Sequence, residues 1–220
     1  MSKQIDLDTT KFQAALARFR TISKRSAEIV LREQARGTLR KIIDSTPPGG
    51  RNAQGQAAKK RGEAKVEGDI RKLMEGVAAK QASGESPAEV LRNNRSKDGK
   101  GAVVGNVVQK IKVRKSDLAK LIRDKKRMVG FLASGWKSAA TKLGINIPAW
   151  ISRHSAPGSG RIRSTATSIE VSATNQVEGA PALEMERRVQ TALDLQAAAM
   201  VRRVEHFAAR EAAKKAGFKA

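Results

Sequence analysis

The chain has 220 residues, no Cys, and 44 Lys and Arg against 21 Asp and Glu, for a formal charge of +23; its aromatics are two Trp and five Phe, with no Tyr. An apolar content of 40% supports a real core and excludes a chain disordered throughout, while the lack of Cys excludes disulfides, thiolate metal sites and cysteine nucleophiles. So large a positive excess points to a polyanionic partner, nucleic acid first, and the scarcity of rings argues for contact with the phosphate backbone rather than stacking on bases.

In chain order, the N-terminus has no apolar signal-like region and no stretch approaches a membrane span, so the expectation is a soluble protein made where it works, without membrane contact. Asp8 or Thr9 can cap a long helix running to about Ser45, with Phe12, Leu16, Phe19, Val30, Ala35, Leu39 and Ile42 near a 3.6-residue repeat. Thr46-Pro47-Pro48-Gly49-Gly50 stops it, because a residue before proline is excluded from helix. A basic flexible loop is expected over about 46–62, with Lys59, Lys60 and Arg61 adjacent, and a modest helix over Glu63–Lys80 despite Gly68 and Gly76. A second flexible loop is expected over about 82–101, where Ser86-Pro87 and Asp98-Gly99 are turn signals.

Residues Val103–Arg114 then alternate as a half-buried strand: Val107, Gln109, Ile111 and Val113 point one way, and Val108, Lys110, Lys112 and Arg114 the other. Ser116 can cap a central helix that continues through Leu118, Ile122, Val129, Leu132, Trp136 and Ala140 to a glycine C-cap at Gly144. Its opposite face carries Lys120, Arg123, Lys125, Lys126 and Arg127, and Gly130 and Gly135 mark a close backbone approach or a kink. After Pro157-Gly158-Ser159-Gly160 the pattern alternates from Ile162 to Val177, as a strand or a hairpin bearing Arg161 and Arg163 near its start. Pro181 opens a last helix to about Lys215, with Val189, Leu193, Ala197, Met200, Val204 and Phe207 at core spacing. The fold class is therefore α+β, a single domain over 1–220: long N- and C-terminal helices and a central helix around a small β-sheet, with basic loops.

The charge is concentrated. Residues 1–43, 44–115 and 116–163 carry nets of +6, +8 and +8, against +1 for 164–220. Between Lys110 and Arg127 nine basic residues stand against two acidic ones, and if the strand and helix faces meet in one channel they form a sequence-indifferent phosphate surface; otherwise they are solvated faces. Candidate polyanion contacts are Lys59, Lys60, Arg61, Lys110, Lys112, Arg114, Lys115, Lys120, Arg123, Lys125, Lys126, Arg127, Arg161 and Arg163. Reversing Lys125 and Lys126 to Glu is expected to spare the fold, since surface changes seldom move stability.

Catalytic constellations fail one by one. His154 and His206 are far apart with no Cys beside them, and His154, after Arg153, suits a phosphate contact better than a metal. Glu184 and Glu186 read as helix-start acids favoured by the helix dipole. Gly50 and Gly55 have a P-loop-like interval, but Gln56 stands where Lys is required. Asp117 and Asp124 sit among cations and are explained by ion pairing rather than a two-metal nuclease site. No enzyme, cofactor or metal is expected.

Thr46-Pro47-Pro48-Gly49-Gly50 after a long first helix, then Lys59-Lys60-Arg61-Gly62-Glu63 and Asp69-Ile70-Arg71-Lys72, resembles phage morphogenesis proteins. Gly130-Phe131-Leu132-Ala133-Ser134-Gly135-Trp136 and Pro148-Ala149-Trp150 extend the likeness over most of the chain. It is similar to the neck and tail-completion proteins of tailed phages, the broad class of minor tail protein Z, but lacks the acid-threonine-glycine usual after the proline turn. The resemblance implies a long N-terminal helix, a threonine-proline turn, a small sheet and further helices, in copies assembled as a homo-oligomeric ring at the head-to-tail junction. Its partners would be other neck, portal or tail proteins and double-stranded DNA by non-specific backbone contact, within a virion assembled in the host cytoplasm. The rival expectation is a free, sequence-independent nucleic-acid-binding accessory protein.

Overall fold

The computed structural model describes residues 8–23, 26–50, 52–82, 84, 86–89, 110–164, 169–178 and 184–215. The elements are α1 (Thr10–Ser23), α2 (Ala27–Ser45), α3 (Gln56–Leu73), β1 (Met74–Val77), β2 (Ile111–Arg114), α4 (Lys115–Arg127), α5 (Phe131–Ser134), α6 (Lys137–Lys142), α7 (Ala149–Ser152), β3 (Gly158–Ser164), β4 (Ile169–Asn175) and α8 (Met185–Lys215). A short 3-10 turn follows β1 at Ala79–Gln81. The α+β class stands, with long N- and C-terminal helices and small two-stranded sheets.

The expected first helix is two. Asp8 Oδ1 accepts the Thr10 N–H at 3.0 Å and opens α1, and Ser26 Oγ accepts the Ile29 N–H at 3.4 Å and opens α2. A side-chain acceptor for the first-turn donors lets a new helix start within the periodic run. Both segments pack on α8, and Ala15 and Phe19 of α1 and Val30 of α2 form one buried cluster with its Ala197 and Met200. Further along, Leu39, Ile42 and Ile43 of α2 join Trp136, Ala139, Ala140, Ile145, Met185 and Ala192. Phe207, expected in the core, is 40% exposed, although its ring lies 6.5 Å from that of Phe19.

The basic loop expected over 46–62 is non-helical only up to Gly55, and its last part is helix. The turn ends by Gly55, and α3 begins at Gln56, so Lys59, Lys60 and Arg61 are helical residues. At its other end α3 stops at Leu73 rather than Lys80, and Met74, Gly76 and Val77 belong to β1. β1 pairs in parallel with β2, in register Met74↔Ile111 through Val77↔Arg114. The pairing is long-range, as a parallel pair requires, and no local pattern announces it. Within 82–101, Ser86 and Glu89 form reciprocal backbone bonds, Ser86 N–H to Glu89 Oε2 at 2.9 Å and Glu89 N–H to Ser86 Oγ at 3.3 Å, a capping box where only a loop is expected. Residues 90–109, including Asp98-Gly99 and the first part of the expected strand, lie outside the described residues.

The expected central helix is three. α4 starts at Lys115, and Ser116, expected as its cap, bonds Asp117 instead at 3.3 Å. It ends before Gly130, whose φ of 97° no residue with a side chain adopts readily, and where an added Cβ would meet the Trp150 ring at 2.9 Å. Gly130 therefore supplies both the kink and the close approach. Gly144 closes the segment with φ 63°, the expected left-handed stop.

The alternation near residues 162–177 is an antiparallel hairpin, β3 with β4, and β3 already includes Gly158 and Gly160 of the expected glycine loop. These glycines let β3 lie against Gly135 and Ala139. α8 begins at Met185, so Glu184, expected in its first turn, precedes the helix with φ 53° and pairs with Arg187 at 2.8 Å. Pro181 lies outside the described residues.

A further cluster unites Ile70 and Leu73 of α3, Met74 of β1, Val113 of β2, and Leu118 and Ile122 of α4. Val66 joins it to a neighbouring cluster of Ala58, Val129, Ala133, Trp150 and Ile151, which Ile147 joins in turn to the α2–α8 core.

Candidate nucleic-acid interface

α3 and α4 run antiparallel, because Gly62 sits against Val129 while Ile70 and Leu73 meet Leu118 and Ile122. This pairing sorts the predicted cations. Lys126 turns into the seam and pairs with Glu67, which also accepts Arg71 Nε at 2.7 Å. The hydrogen bond from Lys126, then that from Arg71, hold the Glu67 carboxyl below the usual range. Lys59 pairs with Glu63 at 3.5 Å, and Arg61 Nη2 donates to the Gly49 carbonyl at 3.1 Å, pinning the proline turn to α3. These three cations have structural work.

On α4, Leu118 and Ile122 are buried, and Lys120, Arg123 and Arg127 lie at i, i+3 and i+7 on the exposed side. None of them forms an ion pair with a described carboxylate. Lys115 and Lys125 are also exposed, at the start and on a flank of the helix. Lys60 is exposed one helical stripe from Glu67, and the antiparallel crossing puts its turn beside the C-terminal end of α4. Arg153 joins this surface: its Nη2 donates to the Arg127 carbonyl at 2.8 Å. Sequence reasoning passed over Arg153 because only the tertiary fold returns it to α4; its place beside His154 was the available signal.

Of the two arrangements open to the basic faces of β2 and α4, a shared channel or separate solvated faces, the fold has them diverge. Along β2, Val113 is fully buried and Lys112 and Arg114 are exposed, with Lys110 exposed just before the strand. Gly76, level with Val113 across the parallel pair, faces Leu118 and Lys115, so α4 covers the Val113 side of the sheet. Lys112 and Arg114 therefore point to the far side, where Lys112 is level with Glu75. Arg161 and Arg163 are exposed on β3, a separate element lying on α6, and Arg163 is directly opposite Glu170.

What remains is an exposed surface of Lys60, Lys120, Arg123 and Arg127 with Arg153 at its edge, and exposed Asp117 and Asp124, expected to be ion-paired, share the α4 face without forming an ion pair with a described residue. Such cations are able to bond phosphate oxygens, and the lack of aromatic platforms beside them argues against stacking on unpaired bases. Cations in the last turn of α4 also suit the helix dipole, which is the structural explanation for Lys125, Lys126 and Arg127 being there. Among the described residues, no group of three His, Asp or Glu side chains could hold a metal ion, and no helix is long and apolar enough to cross a membrane. No family model, no curated protein and no solved structure matches the chain.

Proposed function

We propose that this chain is a structural subunit of the head-to-tail junction of a tailed phage, a neck, connector or tail-completion ring protein, and that the α4 face meets the backbone of double-stranded DNA or the acidic surface of a neighbouring ring. One observation carries the proposed contact: Lys120, Arg123 and Arg127 form an exposed row with no described carboxylate within ion-pair distance. A ring through which DNA passes needs loose, exchangeable phosphate contacts rather than base recognition, and isolated cations on a helix surface provide them.

The assignment to a junction rests on the resemblance of the words around Pro47, Gly130 and Pro148. These words also meet in the fold. Trp136 Nε1 donates to Thr46 Oγ1 at 3.3 Å, Trp150 Nε1 donates to the Gln54 carbonyl at 3.0 Å, and Gly62 accommodates Pro48. They make one interior that holds α3 and α4 in place.

The test is Lys120→Glu with Arg123→Glu. Both positions are exposed, so the melting temperature should stay near that of the parent. Duplex affinity should fall, and the slope of log K against log salt should shrink by about 0.9 for each phosphate that is no longer neutralised. In particles, the same variant should lower assembly or DNA retention. Unchanged DNA binding and unchanged particle yield would remove the proposed role of the face. Absence of the chain from neck and tail density in purified particles would remove the junction. Tight duplex binding by an isolated monomer or dimer absent from particles would favour the free accessory protein.

A further inference from the structure

We infer that a cleft between α6 and residues 153–158 binds a phosphate group. The cleft has a volume of about 420 Å³ and no α4 residue lines it, although Arg153, at the edge of the α4 face, donates to His154 of its wall. Its wall on α6 is a continuous strip, Lys137, Ser138, Thr141 and Lys142, and His154 and Ser155 close the other side. The strip follows from helical geometry: Ala139 and Ala140 are buried in the α2–α8 core, which turns positions 137, 138, 141 and 142 outward.

The donor inventory decides what fits. Lys137 Nζ donates one proton to the Ser152 carbonyl at 2.8 Å, which holds the ammonium at the cleft and leaves two protons for a ligand. Lys142 makes no hydrogen bond or ion pair with a described residue, and neither do the hydroxyls of Ser138 and Ser155. Thr141 is already committed, its Oγ1 donating to the Lys137 carbonyl at 3.0 Å, so it shapes the wall rather than binding. His154 Nε2 accepts from Arg153 Nε at 3.3 Å and lies 3.1 Å from the Val129 carbonyl, and these contacts anchor the ring and leave Nδ1 on the cleft side. The Phe131 ring packs against the imidazole in a T-shaped contact, with centroids 5.9 Å apart. No carboxylate lines the cleft. Two ammonium groups and two uncommitted hydroxyls around one space suit a ligand with several acceptor oxygens and negative charge, which is the chemistry of phosphate.

The cleft uses none of the α4 cations and requires no phage role. A phosphodiester of nucleic acid and a free phosphate or phosphate monoester share this chemistry, and the experiment separates them. The full chain with His206→Asn leaves His154 as its one imidazole. Its ring protons are followed by NMR while inorganic phosphate replaces chloride at constant ionic strength. A saturating shift is expected, and Lys137→Gln with Lys142→Gln should weaken it about tenfold or more by removing both charge-assisted donors. Lys120→Glu with Arg123→Glu should leave it unchanged, so failure of the α4 face and failure of the cleft are distinguishable. Displacement of phosphate by a short DNA duplex identifies a backbone phosphodiester as the occupant, and retention of phosphate identifies a small phosphate. A response equal to that in chloride, or one unaltered in the folded Lys137→Gln, Lys142→Gln variant, overturns the site. Lys142→Arg, which keeps the charge, should bind phosphate like the parent, whereas Lys142→Gln alone should bind it more weakly, and equal binding by the two would overturn the role of the cation.

Discussion

At the scale of single residues, glycines in one helix have opposite meanings. Both Gly62 and Gly68 lie inside α3, where glycine costs about 1 kcal/mol relative to Ala. A Cβ on Gly62 would stand 2.8 Å from Val129 Cγ1 and 2.9 Å from Pro48 Cβ, whereas one on Gly68 meets nothing within 4 Å. Gly68→Ala is therefore expected to stabilise by about 1 kcal/mol, a rise of roughly 2–4 °C in Tm. Gly62→Ala should destabilise by about 1–3 kcal/mol, because overpacking outweighs the better propensity. Thermal melts of the two variants check both signs, and equal shifts would mean that the Pro48–Val129 packing does not constrain α3. A comparable close fit holds α2 to α8. Gly37 leaves room for the Gln196 amide, which donates to Gln34 Oε1 at 2.6 Å and accepts from Lys41. Burial there lowers the affinity of Lys41 for its proton, with Arg203 and Arg202 acting in the same direction.

At the scale of elements, the seam between α3 and α4 decides what charge reversal does. Lys125 and Lys126 are neighbours with equal charge, and from their order alone both belong to one solvated face. Only Lys126 reaches Glu67. Lys125→Glu should leave stability nearly unchanged, whereas Lys126→Glu places two carboxylates at the seam and should lower Tm at neutral pH, which corrects the expectation that the pair can be reversed freely. Its pH dependence follows from the lowered Glu67 pKa. A carboxylate with a depressed folded pKa contributes stability that is complete above its unfolded value, about 4.3, and is lost as pH falls through the lower folded value. The gap in Tm between the parent and Lys126→Glu should therefore be widest near neutrality and narrow in that acid range. A gap that stays constant from pH 7 to about 3 would show that the ion pair does not tie the helices. The elements themselves were unevenly legible. α8 follows a long apolar repeat, and the Thr46-Pro47-Pro48 stop and the Gly144 cap use local backbone chemistry, so sequence locates them. The split between α1 and α2 was hidden because the apolar spacing continues across Ser26. The β1–β2 pair was hidden because Met74–Val77 also fits the end of a helix, and its partner strand lies far along the chain.

At the scale of the whole molecule, a net charge of +23 is a store of self-repulsion as well as a means of attraction. Raising NaCl from about 0.1 to about 1 M shortens the screening length from roughly 10 to roughly 3 Å. The melting temperature should rise over that range while duplex affinity falls, since one effect relieves repulsion and the other removes the benefit of counterion release. A melting temperature that is flat or falls with salt would show that the folded chain spreads its charge too widely for repulsion to matter. The sequence by itself determined the sign and concentration of charge, the helical periodicities, the proline stop and the scarcity of aromatic stacking platforms, because composition and local backbone preference carry these. Tertiary structure alone decided which cations are available. Lys126 is committed to a carboxylate 59 residues away, Arg153 is returned to the end of α4, and the basic face of β2 points away from that of α4. The reason is physical: a side chain's charge is read from its identity, but its partner depends on which distant helix or strand packs beside it.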